Sequence, residues 1–223
     1  MKLSNELINN PNILKFFKKV NEKYSIPIAT SKKMLKGIGE KKEETKNRGT
    51  GAGGKNTNVT GKRFESTTCA YNTLISDGFI KDEYLTKTID DKKIIYTNQT
   101  EFKKYMRDTH NIKTFRVPDE AYIIENGDNI TVKILEKKNQ TGEGSVETKL
   151  WASSLLKREY QIHFGDKFKI EYALCVSDFL KKKITSNGDK YKILRQMLDE
   201  VGIDVLYGND KNYFDKLKNW IYK

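Results

Sequence analysis

Two apolar runs joined by a polar turn decide how this chain folds. The first is Pro118-Asp119-Glu120-Ala121-Tyr122-Ile123-Ile124 and the second is Ile130-Thr131-Val132-Lys133-Ile134-Leu135-Glu136-Lys137-Lys138. Between them stands Glu125-Asn126-Gly127-Asp128-Asn129. An Asn-Gly pair between β-prone runs is a strong short hairpin signal. The pattern predicts antiparallel strands over 115–124 and 130–138. Side chains alternate along a strand, so Val132, Ile134, Glu136 and Lys138 share one face. If Asn126-Gly127 makes the two-residue turn, Asp119 faces Ile134 and lies diagonal to Glu136. If Gly127-Asp128 makes it, Asp119 faces Glu136 directly. Either register puts both carboxylates on one face, roughly 5–8 Å apart at the backbone. A three-residue loop would separate them onto opposite faces.

Two carboxylates held this close repel each other unless a cation lies between them. Magnesium prefers oxygen ligands and keeps several waters, so it suits Asp119 and Glu136. A metal there can polarise a phosphoryl oxygen and activate a bound water. Lys138, on the same face, can position that water and neutralise developing charge. The constellation points to phosphodiester hydrolysis. Other acid-x-Lys triplets occur, such as Glu101-Phe102-Lys103 and Glu147-Thr148-Lys149. Only Glu136 ends an apolar strand paired with a Pro-Asp strand. Glu147 is expected at a helix start, compensating the helix dipole.

Outward from the hairpin, the pattern alternates helices and strands. A helix is predicted over 62–76, with Phe64, Thr68, Tyr71 and Ile75 on one stripe and Asp77-Gly78 as its stop. Ile94-Ile95-Tyr96 is a short strand, and 102–108 a helical turn or two. Ser145 is placed to cap a helix running to about Tyr160. A strand over 168–176, a helix over 191–201, a strand over 203–207 and a terminal helix over 213–222 follow. Near the N-terminus, Ile13, Phe16, Phe17, Val20 and Tyr24 recur at helical spacing. The expected fold is α/β (α+β), a central mixed sheet flanked by helices.

The 223 residues allow one domain, or one domain with an arm. We divide them into an N-terminal helical segment (1–31), a basic Gly-rich arm or loop (32–61) and a core with a C-terminal helical extension (62–223). The chain carries 42 Lys+Arg against 30 Asp+Glu, a net +12. Residues 32–63 hold ten basic and three acidic residues, so +7 of that excess sits there. A basic chain of this kind favours a polyanionic partner, with nucleic acid first. Lys55, Asn56, Asn58, Lys62, Arg63, Lys181, Lys182 and Lys183 are the candidate DNA contacts. No apolar run approaches a membrane span. Two cysteines, Cys69 and Cys175, build neither a disulfide framework nor a zinc cage, which fits a reducing cytoplasm. Gly49-Thr50-Gly51-Ala52-Gly53-Gly54-Lys55-Asn56 imitates a phosphate-binding loop. It lacks the Ser or Thr after the Lys and follows a charge run rather than a strand, so no nucleotide cofactor is expected. His110 and His163 read as structural, Cys69 as a small core residue, and Trp220 and Tyr222 as packing residues.

Taken together, Pro118, Asp119, Glu136 and Lys138 resemble the signature of the PD-(D/E)XK nuclease superfamily, and within it the type II restriction endonucleases. The order of the helix over 62–76, the hairpin, the helix from Ser145 and the strand to Val176 is similar to that family's core. The resemblance implies a restriction endonuclease-like core, with Asp119 and Glu136 as metal ligands and Lys138 as the catalytic lysine. Gln140 matches an extension of the motif. Gly61-Lys62-Arg63-Phe64-Glu65 is similar to a helix whose glutamate joins the site, which implies Glu65 as a further ligand. The expectation is a Mg²⁺-dependent, sequence-specific double-stranded DNA endonuclease, with Mn²⁺ able to substitute. It would work as a homodimer in a bacterial or archaeal cytoplasm. The alternatives are a structure-specific repair or junction nuclease and a non-catalytic basic DNA-binding protein.

Overall fold

The computed structural model describes residues 55–223, with side chains from Thr60 onward. The N-terminal helical segment, the basic stretch up to Gly54 and most of the glycine-rich loop lie outside the described residues.

The hairpin forms as the turn chemistry requires. Strand β4 (Glu120–Asn126) pairs antiparallel with β5 (Asn129–Lys138), from Glu120↔Leu135 to Asn126↔Asn129. Gly127-Asp128 is therefore the two-residue turn. Gly127 takes φ 57° while Asp128 stays at negative φ, the glycine-first arrangement of a type II′ turn. Strand β4 is shorter than expected. Residues 115–119 are not strand, because Pro118 has no N–H to give a ladder.

Three further strands, β1 (Ile80–Lys81), β2 (Leu85–Ile89) and β3 (Lys92–Asn98), continue the antiparallel side. On the other side β6 (Phe168–Val176) and β7 (Ile203–Tyr207) are parallel to β5. The result is one seven-stranded mixed sheet in the order β1 to β7, as expected for the fold class. Parallel neighbours need crossovers, and helices supply them. Helices α4 (Val146–Trp151) and α5 (Ser153–Phe164) link β5 to β6, while α6 (Asp178–Ile184) and α7 (Asp189–Glu200) link β6 to β7. The sheet thus changes from antiparallel to parallel at β5.

Both faces of the sheet are covered. Ile95, Ile123, Val132, Ile134 and Leu174 point into one core with α3 (Gln99–His110), α5, α6 and α7. Ile94, Tyr96, Tyr122, Leu135 and Cys175 point into the other, with α1 (Lys55–Thr67), α2 (Tyr71–Ser76) and α8 (Tyr213–Tyr222). Consecutive residues of β3, β4, β5 and β6 serve different cores.

Several local expectations change. The helix expected from residue 62 starts at Lys55, so part of the supposed loop is helical. It breaks at residues 68–70 into α1 and α2. Ser145 makes no side-chain cap, and the helix it was to begin is two helices. Glu147 is buried rather than a simple dipole partner. It accepts the Tyr191 hydroxyl at 2.9 Å. Helix α3 is longer than expected because its ends are well capped. Asn98 and Glu101 form a capping box, and Asn111 closes the helix at φ 56°.

Candidate active site

The register carries Asp119 to the end of the sheet where β5 finishes. One step beyond Glu120↔Leu135 places Asp119 across from Glu136, the closer of the two arrangements open from sequence. Asp119 is held on both oxygens. Its Oδ2 accepts the Lys137 backbone N–H at 2.7 Å, and its Oδ1 accepts Gln99 Nε2 at 3.1 Å. Gln99 opens α3 and has no signal of its own in the sequence.

Glu136 and Lys138 follow on the same face of β5. Lys138 Nζ donates to Glu136 Oε2 at 2.6 Å, and the two side chains are only 13% and 14% exposed. Loss of water raises the pKa of Glu136, and the negative charge of Asp119 adds to the rise. Lys138 opposes it most strongly. Glu136 therefore carries an incompletely compensated charge even with Lys138 in contact. The hydroxyls of Tyr160 and Tyr172 are buried without a hydrogen-bond partner among the described residues. After burial, the Glu136 charge is the largest influence raising both phenols. Arg116 also acts on Glu136. Its guanidinium is forked onto Glu159 through Nε at 2.7 Å and Nη2 at 3.0 Å.

Glu65 stands on α1 across a hollow of about 450 Å³, which Asp119, Gln99, Cys69, Tyr96 and Lys137 also line. Burial raises the Glu65 pKa first and Asp119 second. Among the described residues, no three Cys, His, Asp or Glu side chains converge closely enough to hold a metal ion by themselves. Glu65 is therefore near the carboxylate pair but is not gathered with it into a three-ligand cage. The residues still fit a hard divalent cation. Asp119 and Glu136 offer only oxygen, their charges oppose each other, and such an ion completes its shell from water and substrate oxygens.

Gln140 is placed differently from the motif's implication. Its Nε2 donates to the carbonyls of Gly142 (2.6 Å) and Gly144 (3.3 Å), so it braces its own loop. Lys62 and Arg63 are exposed on α1. Lys181 pairs with Asp210 and Lys183 with Glu143 (2.5 Å), while Lys182 is exposed. The side chains of Lys55, Asn56 and Asn58 lie outside the described residues.

The sequence did not single out Glu120 and Lys137, neighbours of the motif residues on the opposite face. They form a buried ion pair at 2.8 Å, both side chains 3% exposed. Strand parity could have found them, since an odd register places Glu120 and Lys137 together just as it does Asp119 and Glu136. His110 packs on Tyr105 and Phe168, and burial lowers its pKa. His163 lies in α5 and packs against Phe115. Cys69 is half-buried with Sγ 3.7 Å from the Tyr96 hydroxyl.

No family model and no curated protein matches this chain.

Proposed function

We propose that the protein is a divalent-metal-dependent DNA endonuclease of the PD-(D/E)XK kind, cutting double-stranded DNA at specific sequences as type II restriction enzymes do. One observation carries this reading. The hairpin register sets Asp119 across from Glu136 with Lys138 on the same face, at the carboxyl end of the strand where the sheet changes direction. Ligands of open α/β sheets bind outside the carboxyl ends of their strands.

In this reading Asp119 and Glu136 hold Mg²⁺, or Mn²⁺ in its place, and Glu65 reaches toward them from α1. The bound ion supplies Lewis acidity toward a phosphoryl oxygen and lowers the pKa of a bound water. Gln99 and the Lys137 N–H orient the Asp119 carboxylate. Lys138, which here donates to Glu136, would supply the ammonium that neutralises charge on the scissile phosphate. The net charge of +12 draws DNA to the protein. A homodimer would present two such sites to the two strands of a palindrome. No described helix is long and apolar enough to cross a membrane. A cytoplasmic location is part of the proposal.

The test is digestion of plasmid DNA of known sequence with Mg²⁺. Discrete fragments support the reading. Cutting confined to branched DNA would favour a junction nuclease, and binding without nicking in Mg²⁺ or Mn²⁺ a non-catalytic binder. Glu136→Ala is expected to abolish cleavage while DNA binding in Ca²⁺ survives. Undiminished Mg²⁺-dependent cleavage by that variant would remove the site assignment.

A further inference from the structure

Behind the motif, on the opposite face of the same strands, lies a polar cluster with an unusual degree of closure. Glu120 is 2% exposed, yet its carboxylate receives four donors. Oε1 accepts Lys137 Nζ at 2.8 Å, the Ala70 N–H at 3.1 Å and the Tyr96 hydroxyl at 3.3 Å, and Oε2 accepts the Tyr122 hydroxyl at 2.9 Å. Lys137 Nζ makes a second bond, to the Glu65 carbonyl at 3.1 Å. Lys137 also gives its backbone N–H to Asp119.

A buried pair of this kind is poor evidence for stability. Its desolvation cost offsets most of its attraction, and apolar or neutral replacements of similar volume are often as stable. What distinguishes the cluster is where its bonds lead. Lys137 touches Asp119 through its N–H and Glu65 through its carbonyl, and it is covalently flanked by Glu136 and Lys138. Glu120 follows Asp119 in the chain and grips the α1–α2 corner through Ala70. The cluster therefore joins the helix bearing Glu65 to the hairpin bearing the other carboxylates. The Glu65 backbone is held at its carbonyl, while its side chain is exposed and makes no hydrogen bond or ion pair among the described residues.

We propose that Lys137 and Glu120 are a positioning pair, clamping the Glu65 backbone to the end of the hairpin so that the Glu65 carboxylate can swing onto a metal ion held by Asp119 and Glu136. This rests on the metal-site reading above. Neither residue touches the ion. Their effect on it is transmitted through Glu65 and Asp119.

The test uses the full chain, stripped of metal, with Mn²⁺ binding followed by the loss of its free-ion electron paramagnetic resonance signal. In Lys137→Gln/Glu120→Gln the two amides can still bond to each other, but residue 137 becomes too short to reach the Glu65 carbonyl. Lys137→Met/Glu120→Gln is the second variant. Folding is checked by thermal unfolding. We expect a folded pair variant to bind Mn²⁺ about tenfold more weakly, the scale typical of outer-shell partners of a metal site. Glu65→Gln should weaken binding to a similar degree. The triple variant should be no weaker than Glu65→Gln alone, because the pair acts through Glu65. Unchanged Mn²⁺ affinity in a folded pair variant overturns the proposal, and so do additive losses in the triple variant. If both pair variants fail to fold, the pair is a stability element and the proposal is also overturned. A wild type that binds Mn²⁺ with this dependence yet leaves DNA uncut keeps the pair and rejects the endonuclease. A wild type that binds no Mn²⁺ rejects the pair as well.

Discussion

Among the described glycines, Gly208 is the one where an added methyl group would meet the tightest contacts. It follows β7 and donates its N–H to the Val176 carbonyl at 3.0 Å, directly beneath α1. A Cβ there would lie 2.7 Å from Phe64 Cζ, 2.7 Å from Thr68 Cγ2 and 2.9 Å from Cys175 Sγ. None of the three can swing into solvent. Phe64 is 6% exposed and the other two are fully buried. Thr68 is further locked by its hydroxyl, which donates to the Phe64 carbonyl at 2.7 Å. Overpacking of this kind costs about 1–3 kcal/mol. The backbone at Gly208 is not left-handed, so alanine also restricts the unfolded chain and returns about 0.4–1 kcal/mol. The net loss is about 1–2 kcal/mol, which for a chain of this size lowers Tm by about 2–8 °C. Thermal and urea unfolding of Gly208→Ala measure it. A sharper check is a double-mutant cycle with Thr68→Ser, which removes the Cγ2 methyl. Alone, that change should destabilise. In the Gly208→Ala background it should restore part of the loss. A Gly208→Ala protein as stable as the parent, or no rescue by Thr68→Ser, would refute the packing argument.

Asn98→Ala removes the side chain that accepts the Thr100 and Glu101 N–H groups at the start of α3. It should cost about 1 kcal/mol in urea unfolding. Glu136→Gln should raise Tm at neutral pH without divalent ions. The folded-state pKa of Glu136 lies above its unfolded value, so the folded state binds the proton more tightly and wild-type stability falls as pH rises through that interval. The advantage of the variant should vanish as pH falls below the ordinary glutamate range, and a pH-independent gain would count against charge as its cause. Mg²⁺ should raise the Tm of the wild type, by an amount corresponding to about 2.7 kcal/mol at a hundredfold excess over Kd. Asp119→Asn should lose that response, and an undiminished Mg²⁺ shift in the variant would place the ion elsewhere.

How much of this was legible in the sequence depended on whether a segment's neighbours were implied by its own pattern. Strands β6 and β7 and helix α8 have the predicted bounds, because each carries its own apolar period. Strand β1 is two exposed residues and β2 ends exposed, so neither shows an apolar period. Helix α6 was masked by its lysines. Only Leu180 and Ile184, one turn apart, mark its buried side, and Lys181–Lys183 read as a patch. The carboxylate pair was legible because strand parity is a local rule. The turn type chose between two registers, and the glycine-first turn settled it. Gln140 shows the converse. Its spacing from Lys138 fits the motif, but the glycines at 142 and 144 leave carbonyls within reach that its amide takes instead.

The same parity explains why the site and its support come from adjacent residues. Asp119, Glu136 and Lys138 lie on one face of the hairpin, and Glu120 and Lys137 on the other. On the first face burial, with the Asp119 charge behind it, raises the Glu136 pKa against the pull of Lys138, and two carboxylates are left sharing one ammonium. On the second face, four donors surround one buried carboxylate. An unbalanced cluster of carboxylates at a sheet end would tend to splay, since like charges gain by separating. Here the backbone beneath it is pinned from behind. The Lys137 N–H holds Asp119, and the Lys137 ammonium holds the helix that presents Glu65. A one-residue slip of one strand past the other would put Asp119 and Glu136 on opposite faces, and would part Glu120 from Lys137 in the same way. The two-residue turn at Gly127-Asp128 thus fixes which acids share a face as well as how the strands pair.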